Sequence, residues 1–179
     1  MQLIIDLPNR EDMLAQHRQR WREVCEDDRW KQTTERIETN AYGQIVMTPP
    51  PSDSHSSRQG NLAFELRVRL GGLAKSECPV VTSDGIKVVD VVWLSDQRHQ
   101  SERGVLVRTI APEICVEVMS LSNTMNEVQN KFKLYFEAGA VECWQCDLNG
   151  QMTYYLNGDA DKPHSHSKLC PDFPNHIAD

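Results

Sequence analysis

Two acidic residues stand where acids are costly. Glu117 sits in the middle of the apolar run Ile114-Cys115-Val116-Glu117-Val118-Met119, and Asp90 interrupts Val88-Val89-Asp90-Val91-Val92. Short runs rich in β-branched residues, bounded by turn formers such as Pro112 and Ser120, read as buried strands. A carboxylate inside such a strand must be neutralised, paired with a cation or bound to a metal. Glu113, Cys115, Glu117 and Met119 share one face of their strand. If that strand pairs with the one carrying Asp90, at the usual spacing of ~4.8 Å, the two acids adjoin. Adjoining carboxylates can hold one Mg²⁺ with several waters. The ion would polarise a phosphoryl oxygen and lower the pKa of a bound water.

The elements that must position these acids follow from pattern and punctuation. Leu62, Leu66 and Leu70 recur every four residues, with Ala63 and Leu73 widening the stripe, and predict a helix after the Pro49-Pro50-Pro51 loop and His55. Pro79 to Thr82 predicts a short strand, and Ser83-Asp84-Gly85 a hairpin turn into the strand of Asp90. Ser95 to Arg108 is polar and without strong periodicity. After the strand of Glu117, Thr124 and Glu127 make a capping box. Met125, Val128, Phe132, Tyr135 and Phe136 form the buried face of a helix that Gly139 stops. Val141 to Asp147 and Gln151 to Leu156 are strands joined at Asn149-Gly150. Upstream, residues 2–7 predict a strand or apolar arm, residues 9–31 one or two helices, and Arg36 to Met47 a hairpin or bent strand carrying Glu38. The expected fold is α/β, or α+β: helix, three strands, helix, strand around a mixed central sheet flanked by helices. We expect one domain over residues 1–179, with an N-terminal helical extension (1–34) and a polar tail (157–179) lying on it.

Composition narrows the function. The chain has 179 residues, enough for one core, with 39% hydrophobic and 25% charged residues. The first residues lack a basic region and turn acidic early, so a cytoplasmic protein without a membrane anchor is expected. Six cysteines in a chain of this length suit reduced thiols. A net charge of −7 repels phosphate, so a nucleic-acid role needs a local basic face or a metal. Arg58, Arg67, Arg69 and Lys75 supply the most basic segment.

The order of these elements, with Asp90 and then Glu117, resembles the PD-(D/E)XK nuclease superfamily, and more narrowly the restriction-endonuclease-like domains of the Uma-two family. The resemblance runs over roughly residues 10–175. It is carried by Arg36-Ile37-Glu38, Ile45 to Pro51, His55, Val81 to Trp93, Ala111 to Ser120 and Lys131 to Ala140. It implies an endonuclease hydrolysing DNA phosphodiester bonds with Mg²⁺ or Mn²⁺ held by Asp90 and Glu117. Glu38 would be a further acid, and by analogy a homodimer the assembly; from the residues themselves, His55 after the rigid proline loop and Arg58 in the basic segment are expected substrate contacts. Two positions depart from the superfamily pattern. Val89 replaces a proline, and Met119 replaces the lysine that would orient the water and stabilise negative charge. A thioether does neither. Lys131 or Lys133 could substitute from the following helix; the helical wheel does not choose between them, and the resemblance favours Lys131. The alternative reading is a nuclease-like fold with weakened catalysis that binds DNA or protein.

Other motifs point away from chemistry. Cys143 and Cys146 are three apart on a strand, so their sulfurs face opposite sides and cannot share a metal. His164, His166 and Cys170 lie in the polar tail.

Overall fold

The computed structural model describes residues 9–121 and 123–179; the arm expected over residues 2–7 lies outside them. Helix α1 (Arg10–Glu26), capped by Asn9, packs Trp21 and Val24 into the molecule. A two-stranded hairpin follows, β1 (Arg36–Thr39) with β2 (Ile45–Thr48). Then come α2 (Asp53–Leu70), β3 (Leu73–Thr82), β4 (Gly85–Leu94), the short α3 (Asp96–Ser101), β5 (Ile114–Val118), α4 (Met125–Glu137), β6 (Glu142–Cys146), β7 (Met152–Leu156) and β8 (Asp159–His164). Strands β3 to β8 form one sheet in chain order, antiparallel throughout except for the parallel pair β5–β6, which α4 connects. This is the expected mixed sheet with flanking helices. No helix among the described residues is long and apolar enough to cross a membrane.

Each helix is placed by its own chemistry. Ser52 caps α2 by accepting the His55 N–H, and Gly71 ends it at φ 66°. Its Leu62 and Leu66 pack on one side of the sheet, against Val91, Val116 and Trp144. Thr124 and Glu127 close a reciprocal capping box on α4. Its Val128, Phe132 and Tyr135 pack against Cys115, Cys143 and Tyr155 in a second cluster. Cys143 falls in the α4 cluster and Cys146 in the α2 cluster, as strand parity requires.

Three features go beyond the sequence expectations. Strand β3 begins at Leu73 rather than Pro79, and α3 lies in the stretch read as irregular. The polar tail contributes a sixth sheet strand, β8, and sends Cys170, Phe173 and Ile177 into the α2-side core. Its apolar residues are too sparse to show a period, so only tertiary packing reveals them.

Candidate active site

The site lies where two strands part. Strands β4 and β5 pair from Trp93↔Ile114 to Val91↔Val116, and the ladder stops there. The next positions are Asp90 and Glu117. Beyond the fork, side chains replace strand partners. Asp90 Oδ2 accepts the Val118 N–H at 2.7 Å. Glu38 Oε1 accepts the Val88 N–H at 2.9 Å, and Thr39 Oγ1 the Ile86 N–H at 2.9 Å. Hairpin β1–β2 is thereby laid along β4. The approach is close: a Cβ at Gly85 would stand 2.5 Å from Thr39 O, so the turn needs glycine for space as well as for its φ of 79°.

On the other side of β4 the β3 ladder skips one position, Glu77 opposite Asp90. Glu77 has φ 53°, a left-handed conformation that is uncommon outside glycine. Val89 and Val92 join the same core cluster although three residues apart, so face alternation breaks at Asp90. Local irregularity lets elements on both sides of the sheet reach one spot.

From α2, His55 Nε2 lies 3.5 Å and Gln59 Nε2 3.4 Å from Asp90 Oδ1. From β1, Arg36 Nη1 donates to the same oxygen at 2.5 Å. From α4, Lys131 Nζ stands 3.2 Å from both Glu117 Oε2 and Glu38 Oε1, and Tyr135 donates its hydroxyl to Glu117 Oε1 at 2.7 Å. Asp90 and Glu117 are buried, 1% and 5% exposed. The structure therefore brings Asp90, Glu117, Glu38, Lys131 and His55 into one cluster. Arg58 does not join it by any described contact; it pairs with Asp179.

Electrostatics divides the two central acids. Burial pushes Glu117 up and Asp90 adds to the push; the Lys131 ammonium, Arg36 and the Tyr135 hydroxyl pull it back, leaving the carboxyl raised to about 7. Burial also opposes ionisation of Asp90, but the His55 hydrogen bond and the charges of Arg36, His55 and Lys131 outweigh it and bring it down to about 2. Burial works against the charge on Lys131, yet Glu117 and Glu38 raise its pKa. Two adjoining carboxyls pushed apart in this way titrate as a unit. Pairs split like this occur in acid–base sites and in structural ion-pair networks alike.

Among the described residues no three His, Cys, Asp or Glu side chains are grouped closely enough to hold a metal ion. The hard donors of the cluster are the carboxylates of Asp90 and Glu117, and each of their four oxygens already accepts from a protein group. A pair of carboxylates that gave up those partners could hold Mg²⁺ or Mn²⁺, which bind through one or two carboxylates and keep several waters.

A mixed sheet with acids at a strand fork and a lysine over them defines a restriction-endonuclease-like architecture. The sequence places it more narrowly: residues 23–163 match the Uma2 family model, described as "Putative restriction endonuclease", and the chain belongs to that family. Among solved structures it is similar to a protein from Anabaena variabilis described as "a putative nuclease belonging to DUF820". The TM-score is 0.66 at 17% identity, covering 82% of this chain and 88% of the other, a likeness of fold. No curated protein matches the sequence.

Arg36, Gln59, Glu77 and Tyr135 were not singled out for chemistry from sequence. For Arg36, Gln59 and Tyr135 the signal is spacing alone; Glu77 carries none. Arg36 and Glu38 are two apart on a strand, and His55/Gln59 and Lys131/Tyr135 are four apart on helices, each pair sharing a face.

Proposed function

We propose that this chain is a divalent-metal-dependent endonuclease acting on DNA phosphodiester bonds. The observation that carries the reading is the meeting of Asp90 and Glu117 at the β4–β5 fork with the Lys131 amine 3.2 Å from Glu117. Asp90 and Glu117 would hold Mg²⁺ or Mn²⁺, and the ion would supply Lewis-acid polarisation of the phosphate and a more acidic bound water. Lys131 takes the part of the lysine that Met119 cannot play: it orients the attacking water and faces developing negative charge. Glu38 holds the Lys131 ammonium from the opposite side and fixes its direction. Tyr135 fixes the Glu117 carboxylate. His55, whose Nε2 lies 3.5 Å from Asp90 Oδ1, would meet a phosphate oxygen held at that acid. Cutting both strands of a duplex needs two sites, so a homodimer would be the assembly for that reaction.

The test is nicking of supercoiled plasmid. Wild-type protein with Mg²⁺ or Mn²⁺ is expected to nick, while Asp90→Asn and Glu117→Gln are expected to be inactive though folded. Equal nicking by all three would refute the assignment. A second reading has its own support: Arg36 holds Asp90 at 2.5 Å and Met119 lacks an amine, as suits a nuclease-like fold that binds DNA without cutting. Salt-dependent DNA binding with no turnover in either metal would select it.

A further inference from the structure

Beside the acidic cluster lies an open cavity of about 520 Å³ that the hydrolytic machinery does not use. One wall is apolar: Trp21 and Trp30 with Ile37 and Val88. The polar wall carries Thr34, Glu35, Gln59 and Glu77, and Arg36 bridges it to the cluster by its bond to Asp90. Trp30 is braced from outside the apolar core. Arg29 lies over its ring at 5.4 Å from the centroid, and Asp27 grips that guanidinium at 2.6 and 3.0 Å. The Arg36 guanidinium is mostly buried, and its Nη2 has no hydrogen-bond partner among the described residues.

We propose that this cavity takes one unstacked nucleobase of the substrate strand, so that the enzyme acts on single-stranded DNA or on a locally opened duplex; the proposal rests on the nuclease reading above. Three observations favour a base over other occupants. Indole walls offer the flat apolar contact that any base face accepts. The polar wall offers carboxylate and amide oxygens to the exocyclic amines and ring N–H groups of a base edge. Arg36 reaches both the cavity and Asp90, so a base in the cavity sets its own phosphate near the acids. The net charge of −7 points the same way. Stacking adds affinity that a chain repelling phosphate overall does not get from its net charge, and a base still inside a duplex stack cannot enter a side cavity. A single strand needs one site per cut, so this substrate does not require a dimer.

The test is binding without metal. A fluorescein-labelled mixed-sequence oligonucleotide of about twelve residues is titrated in EDTA by anisotropy, alone and annealed to its complement. The wild type is expected to favour the single strand by about tenfold. Trp30→Ala is expected to lose about tenfold in single-strand affinity with duplex affinity little changed. Thr34→Trp, which fills the cavity from an exposed position and leaves the core intact, is expected to show the same loss; it guards against misfolding of the first variant. Equal affinity for both DNA forms, or unchanged single-strand affinity in Thr34→Trp, overturns the proposal. Plasmid nicking is read separately, so loss of the nuclease reading and loss of the base cavity give different results.

Discussion

Glu117 and Glu142 are buried carboxylates on neighbouring strands, β5 and β6, and they face opposite sides of the sheet. Glu142 is fully enclosed and accepts four hydrogen bonds from neutral donors: Trp144 Nε1 at 2.7 Å, Ser167 Oγ at 2.6 Å, Lys168 N at 2.7 Å and Leu169 N at 2.8 Å. Two of those donors are backbone and none is a mobile cation. The cluster pins the tail at residues 167–169 to the sheet and has no capacity left for a ligand. Glu117 is held instead by the end of a long lysine and by one phenol, beside a second acid at the strand fork. Its counter-charge is a single ammonium shared with Glu38. A buried acid saturated by fixed neutral groups is structural, whereas one balanced by a cationic side chain keeps a charge that, on the proposed reading, a metal ion would share.

The sharpest break between the two clusters is in activity. Asp90→Asn should lower DNA cleavage by about a thousandfold, the scale of losing a charge that stabilises the transition state, with circular dichroism unchanged. Glu142→Ala should leave cleavage by the folded protein intact and instead cost about 3 kcal/mol or more in urea denaturation, because several buried donors lose their acceptor. If Glu142→Ala unfolds no more easily than wild type, the division fails.

Glu117→Gln should cost about 1 kcal/mol or less around pH 5 to 6, because an amide resembles the protonated acid that predominates there. The pH profile follows from the same shift. The folded chain keeps a proton on the pair up to about pH 7, whereas the unfolded chain releases it near 4.5. Between those values the unfolded state binds fewer protons, so this term loses stability as pH rises. Asp90 works in the opposite direction. Its ionised form stabilises the fold above 3.8, and that contribution is lost as pH falls toward 2. Thermal unfolding of wild type and Glu117→Gln from pH 5 to 8 should diverge, with the variant showing the flatter profile. Metal affinity should move against stability over the same window, since binding needs the proton gone.

The smallest effect concerns Met119, at the margin of the α4-side cluster and two residues past Glu117 on its face. Met119→Lys adds a second amine where Lys131 already stands. Cleavage should change by less than about tenfold, within the range of a redundant proton-handling group. A gain of several hundredfold would mean that Lys131 does not serve the reaction.

Much of this geometry was legible in the chain. A lone acid in a β-branched run is conspicuous, and Asp90 and Glu117 stand out for that reason. The capping box at Thr124 marked the start of α4, but the helical wheel left Lys131 and Lys133 open, and only the family resemblance favoured Lys131. Asp84-Gly85 and Asn149-Gly150 marked their turns. Arg36 was not legible as the partner of Asp90, 54 residues away, because a short amphipathic strand does not declare what it crosses. Glu142 passed unnoticed because its partners come from a tail with isolated apolar residues and no period. The slip in alternation at Asp90 depends on the left-handed Glu77, a residue type that gives no warning of that conformation.

Calorimetric titration of Mn²⁺ into the metal-free protein at pH 8 tests the central claim most directly. The account predicts one saturable site in the wild type, lost in Asp90→Asn and unaffected in Asn149→Ala at the distant hairpin turn. No saturable binding to the wild type, or equal binding to Asp90→Asn, would contradict it.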